Sequence, residues 1–193
     1  MIFAEIRLAM LERSRANDCG SQVVELALSL PVLVIFVVGI FDFSGALTLK
    51  QKLTNAAREG ARVAAADPAS DMAASVPIAV NDAFQVMDNY LLSEKINDCG
   101  LSGTTPPTPT QSALTWTYAA TGSGCPGNGI KLTINRGCQQ TVSPNSNTVY
   151  LIGTCVSIDY AYKWRFNSVG GLFGGKVLGP STITTAAAAF NEN

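Results

Sequence analysis

The sequence predicts an α+β chain: a long N-terminal transmembrane and stem helix, then a small globular domain with a second helix and an antiparallel sheet. Three observations predict it. Residues 26–41 carry no charge and are almost wholly apolar. Val76, Val80, Phe84, Met87 and Leu91 recur at helical spacing, which makes one apolar face. Beyond residue 113 apolar residues alternate with polar ones, the period of a half-buried strand.

Composition sets the bounds. The chain is 47% hydrophobic and 14% charged, whereas soluble domains carry about 25% charged residues. Part of the chain is therefore expected outside water. The net charge of -1 and the lack of a basic run argue against nucleic-acid binding. There is no histidine, which removes histidine triads, histidine metal sites and imidazole proton shuttles.

The apolar run reads as a membrane helix. Such a helix needs about 20 mostly apolar residues, and the flanks at Phe43, Ala46, Leu47 and Leu49 supply the remainder. Pro31 would break a soluble helix but is tolerated in a bilayer, where neighbours satisfy the freed carbonyl. Glu25 stands out, between Val23-Val24 and Leu26-Ala27-Leu28. A carboxylate at the centre of a membrane helix costs about 2.5–3.5 kcal/mol, so this one calls for a partner. A cut after Gly20 would give Ser21 a new α-ammonium, one helical turn from Glu25. Two plainer readings compete: an interfacial charge at a helix end, and an ordinary secretory signal cut near Ser44-Gly45-Ala46. Signal cores run about 7–15 residues, shorter than this one. A lipoprotein signal is rejected, because the apolar region follows Cys19.

The segment Gly20-Ser21-Gln22-Val23-Val24-Glu25 before an apolar helix resembles a type IV prepilin leader. Such leaders are cut after glycine and keep glutamate as the fifth mature residue. Three further stretches resemble the TadE-like pseudopilins of bacterial tight-adherence (Flp) pilus systems. They are Glu25-Leu26-Ala27-Leu28-Ser29-Leu30-Pro31-Val32-Leu33, Gly39-Ile40-Phe41-Asp42-Phe43 and Asn55-Ala56-Ala57-Arg58-Glu59-Gly60-Ala61-Arg62. The pattern covers residues 20–66. It departs from the family at Leu26, where an aromatic residue is frequent, and at Ser44-Gly45, where arginine is frequent.

The resemblance implies a pilin-like minor pseudopilin, a structural subunit in assembly of a type IV pilus used in cell adhesion. A prepilin peptidase would remove the leader, residues 1–20, between Gly20 and Ser21. Residues 21–66 would form the transmembrane and stem helix, and Glu25 would pair with the new terminus during assembly. Residues 67–193 would form a domain outside the cytoplasm, held by a single pass in the bacterial inner membrane. The implied partners are the peptidase, other pilin and pseudopilin subunits, the assembly platform and the membrane, with no nucleic acid and no cofactor. Arginines and lysines flank the apolar run on both sides, so charge asymmetry does not orient it.

The stem follows. Leu49, Leu53, Ala56, Ala57, Gly60, Ala61 and Ala64 form a small-residue stripe at helical spacing, suited to close packing against the chain's own domain or a neighbour. Asp67-Pro68 is the expected stop. A second helix is expected from about residue 77 to 92. Residues 101–112 read as an extended, exposed linker, since Thr104-Thr105-Pro106-Pro107-Thr108-Pro109-Thr110 can form neither helix nor central strand.

Strands are expected over residues 113–120 (Leu114, Trp116, Tyr118), 130–134 (Ile130, Leu132, Ile134), 148–163 (Val149, Leu151, Val156, Ile158, Tyr160) and 181–190, the last fraying into a small-residue tail. A hairpin loop over residues 139–147 would join the second and third. Cys99, Cys125, Cys138 and Cys155 form an even set expected to make disulfides. Four cysteines admit three pairings; the hairpin reading joins Cys138 to Cys155 and leaves Cys99 for Cys125. Residues 166–180 are glycine-rich but lack the phosphate-loop frame, and read as a surface loop exposing Leu172 and Phe173.

No nucleophile with a base, no metal set and no framed carboxylate pair is recognisable, so catalysis and metal binding are not expected. The alternative is a single-pass anchored envelope domain for binding or adhesion, which would keep residues 1–20.

Overall fold

The computed structural model describes residues 2–67, 70, 72–103, 107–122, 124–142, 149–164 and 181–191. The side chains of residues 2–19, 140, 142 and 149 lie outside that description. The glycine-rich segment 166–180 falls wholly outside it, as do 104–106 of the Thr/Pro tract and 143–147 of the expected hairpin loop.

The elements are helix α1 (Ile2–Ala66), helix α2 (Ile78–Ser93) and strands β1 (Thr110–Ser112), β2 (Thr115–Ala120), β3 (Ile130–Val142), β4 (Val149–Ala161) and β5 (Thr182–Phe190). The architecture is α+β with a stem helix, as the sequence predicts. The chain divides into two units, one ending at Phe43 and one beginning at Ser44.

The first unit is helical through Pro31. Its apolar side chains are exposed on every side: Val24, Leu26, Leu28, Leu33, Phe36 (68%) and Phe41 (70%). A soluble helix hides one stripe and shows a polar face. Apolar side chains all round suit a hydrocarbon surround, where the helix satisfies its own backbone groups. The apolar helix that starts at Gly20 is long enough to cross a bilayer.

The second unit has one core. From the stem part of α1 it takes Leu53, Ala56, Ala57, Ala61 and Ala64; from α2 it takes Val80, Ala83, Phe84, Met87 and Leu91. The small-residue stripe therefore packs within the chain's own domain. Gly60 shows why small residues are needed: a Cβ there would lie 2.6 Å from Met87 Cγ. Helix α2 starts at its N-cap Pro77, whose fixed φ suits a helix entry. It ends in a Schellman motif, with Ile96 N–H donating to Leu91 O (2.9 Å) and Lys95 N–H to Leu92 O (3.1 Å). Lys95 occupies the left-handed position at φ 56°, where glycine is usual. The apolar contact that accompanies this motif fits Leu91 and Ile96, both of the core.

The sheet is an antiparallel meander in the order β1-β2-β3-β4-β5. Register aligns the inward side chains in rows. Trp116, Ile134, Val156 and Ala187 form one row, and Tyr118, Leu132, Ile158 and Thr185 the next; Ala120, Ile130, Tyr160 and Ile183 form a third. Nearly all are buried, so period-two alternation on four strands produces one covered face.

Four details depart from the sequence expectation. Leu114 is not an inward strand residue; it sits in the β1–β2 turn beside Ala113, whose φ is 50°. Residues 110–112 of the expected linker form an edge strand, pairing Gln111 with Trp116; no proline intervenes there, so the backbone can donate. The small-residue tail does not fray, because Ala186 to Phe190 stay paired with Ser157 to Gly153. Finally, β3 gains one residue between Asn135 and Cys138, a bulge that interrupts the ladder. Beyond it the hairpin outruns its helical cover, and Tyr150, Leu151 and Ile152 are exposed.

Candidate functional site

On the anchor, Gly20, Ser21 and Glu25 lie on one continuous exposed helix. Ser21 and Glu25 are four residues apart, hence on the same face about one turn apart. A Cβ at Gly20 would meet nothing within 4 Å. Packing therefore does not demand glycine here, although glycine inside a helix costs roughly 1 kcal/mol relative to alanine.

In the globular unit the four distal cysteines form two disulfides. Cys99–Cys125 joins the loop after α2 to the β2–β3 connection, with Cα atoms 5.5 Å apart. Cys138–Cys155 joins β3 to β4 across the bulge, at 5.6 Å. Each closes a short contour, with sequence separations of 26 and 17. Such closures limit the unfolded chain. The turn holding Cys99 is tied locally as well. Cys99 N–H donates to Asn97 Oδ1 (2.9 Å), and Gly122 N–H donates to Cys99 O (2.7 Å). Gly122 is required by that close approach, since a Cβ would stand 2.2 Å from the Cys99 oxygen.

Two polar groups inside the domain were not singled out in the sequence. Arg136, on β3, is fully buried and donates from Nη2 to Asp67 O at 2.8 Å. Asp67 follows the last residue of α1, whose final turn contains no basic residue. A cation from the sheet thus meets the negative end of the stem helix. The alternation Leu132, Ile134, Arg136 signals its inward direction.

The second group is Asp88. It lies on the buried face of α2 and is only 6% exposed. Its Oδ1 is buried with no hydrogen-bond partner among the described residues. Asp88 stands four residues after Phe84 and three before Leu91, so an acid within the apolar stripe was the available signal. It borders a groove of about 530 Å³ with Ile78, Phe84, Leu101, Pro109 and Tyr118. Phe84 and Tyr118 stack there, ring centroids 4.2 Å apart. Pro107 and Pro109 are half-buried in its wall, so this end of the Thr/Pro tract is a packed element and not a free linker.

Burial, then the nearby charge of Asp98, pushes the Asp88 carboxyl up to about 6. Asp98 behaves oppositely. Burial raises it, but hydrogen bonds from Ser102 and Gly100 outweigh that and hold it below the usual carboxylate value. The Ser102 hydroxyl lies 2.5 Å and its N–H 2.8 Å from Asp98 Oδ2. Asp98 thus keeps a charge beside an acid that resists one. Burial, reinforced by Asp98, also raises the Tyr160 hydroxyl, which donates to Asn97 O at 3.1 Å.

Among the described residues no cluster of three or more metal-ligating side chains occurs. No curated protein matches the chain, and no solved structure does. The family model described as TadE-like protein matches residues 20–62. That stretch contains the glycine–serine junction, Glu25, the apolar helix and the first turns of the buried stem stripe. Over this segment, and over no more of the chain, the sequence is similar to the TadE-like proteins.

Proposed function

We propose that the chain is a minor pseudopilin of the tight-adherence pilus: a non-catalytic structural subunit, made with a cleavable leader and held in the inner membrane by one helix. The observation that carries this reading is the TadE-like segment itself, in which an unneeded helical glycine precedes Ser21 and Glu25 at the head of an all-apolar helix. A prepilin peptidase cuts between Gly20 and Ser21. The new α-ammonium then neutralises Glu25 within a subunit or between neighbours, offsetting the cost of a lone carboxylate near the bilayer. The two disulfides suit an oxidising compartment, and support a domain facing away from the cytoplasm. The domain contacts other pilin-like subunits and the assembly platform.

The test is the N-terminal residue of the membrane-fraction protein, in cells with and without the peptidase. The expected start is Ser21, lost when the peptidase is absent, with Glu25→Ala processed yet poorly assembled. An intact Met1, or a start near Leu47, would sink the proposal in favour of an anchored binding domain.

A further inference from the structure

Asp88 is a buried acid whose Oδ1 has no hydrogen-bond partner among the described residues, on the wall of an apolar groove. An uncompensated buried carboxylate is costly, and the neighbouring Asp98 adds to the cost. Among the described residues no cation relieves it. Of the cations on the stem, Lys52 is engaged by Glu94 (2.9 Å) and Arg62 by Glu59 (2.9 Å). Lys50 and Arg58 have no ion pair among the described residues, and both border a second, shallower depression of about 380 Å³ with Leu47, Gln51, Thr54 and Asn55. They lie eight residues apart on one helix face, a span of about 12 Å at 1.5 Å per residue.

The same domain therefore carries an acid lacking a cation and cations lacking an acid, on different surfaces. The acidic surface has Ile78 and Pro109 for side-chain stems to lie against, and long basic side chains bury such stems while keeping their charge at a polar partner. We propose that the Asp88 groove receives the basic stem ridge of a second copy of the chain, Arg58 of one copy facing Asp88 and Asp98 of the next. The contact is heterologous, using different patches on its two sides. A heterologous contact closes into a ring or propagates as an open filament, according to the rotation it imposes. This goes beyond the pseudopilin reading and does not depend on leader cleavage, which the N-terminal sequence tests separately.

The experiment uses the full chain in detergent, as an equal mixture of ¹⁵N-labelled and unlabelled protein, treated with a zero-length carbodiimide that joins carboxylates to amines. Arg58→Lys supplies a reactive amine at the site. The expected products are mixed-isotope peptides joining Asp88 or Asp98 to Lys50, or to residue 58 in that variant. Self-association measured by sedimentation is expected to weaken about tenfold or more in Arg58→Glu and in Asp88→Asn, while circular dichroism stays unchanged. Arg58 is exposed, so its variant keeps the test valid even if the groove variant folds poorly. A monomer at all concentrations, an oligomer indifferent to both substitutions, or cross-links confined to single-isotope peptides would each overturn the contact.

Discussion

Replacing Asp88 with asparagine is expected to stabilise the domain at neutral pH and to remove a pH dependence. The folded carboxyl titrates at about 6 against 3.8 ordinarily, so the folded state favours the protonated acid. Below the unfolded value both states are protonated and Asp88 has no effect. As pH rises from the unfolded value to the folded one, folding must take up a proton, so stability falls; above the folded value the full cost of a buried charge applies and the loss levels off. The full shift corresponds to about 3 kcal/mol at 1.36 kcal/mol per unit. Water in the open groove screens part of it, leaving about 1–2 kcal/mol. Asparagine has nearly the same shape and no charge, so that loss disappears. Asp98 acts in the opposite sense: its folded value is depressed, so its stabilisation is present above the ordinary carboxylate range and lost in more acid solution. The two windows separate the residues. The assay is denaturant unfolding of the full chain in detergent at pH 4, 5, 6 and 7, at concentrations too low for self-association, followed by tryptophan fluorescence. The variant's advantage should grow from near zero at pH 4 to its maximum at pH 7. An advantage independent of pH, or none at pH 7, would refute the assignment of an uncompensated acid at this position.

Three further outcomes follow from the domain's packing. Lys95→Gly should raise stability by about 0.5–1 kcal/mol, because glycine removes the left-handed strain at the end of α2; the denaturation midpoint checks it, and a loss would mean the Lys95 stem packs usefully. Arg136→Met should cost about 2 kcal/mol, through the lost charge-assisted bond to the Asp67 carbonyl at the stem terminus, with faster amide exchange in the last turn of α1 as the local readout. Converting Cys138 and Cys155 together to serine should cost about 2–4 kcal/mol and loosen the exposed β3–β4 hairpin first, seen as protease cleavage there. Intact resistance to protease would argue against a stapling role.

The long apolar helix was legible residue by residue, because crossing hydrocarbon imposes a one-dimensional requirement: an unbroken apolar run. The same holds for α2 and for the inward rows of β2, β3 and β4, where side-chain direction follows from period alone. Legibility failed where distant segments compensate one another. The buried role of Arg136 depends on where β3 meets the end of α1. The Asp88 groove depends on proline residues some twenty positions later folding back beside α2. Pairing of Ala186 to Phe190 depends on β4 offering a full-length edge, which their weak strand propensity does not announce.

By itself, then, the amino-acid order determined an apolar helix long enough to cross a bilayer, the α+β class and the apolar faces, since each is a local repeat. Only tertiary structure decided that the stem stripe belongs to the domain's own core, which strand edges are paired, and that one acid in α2 has no partner among the described residues. Those outcomes rest on contacts between residues far apart in sequence, where burial and hydrogen bonding, and not periodicity, choose the arrangement.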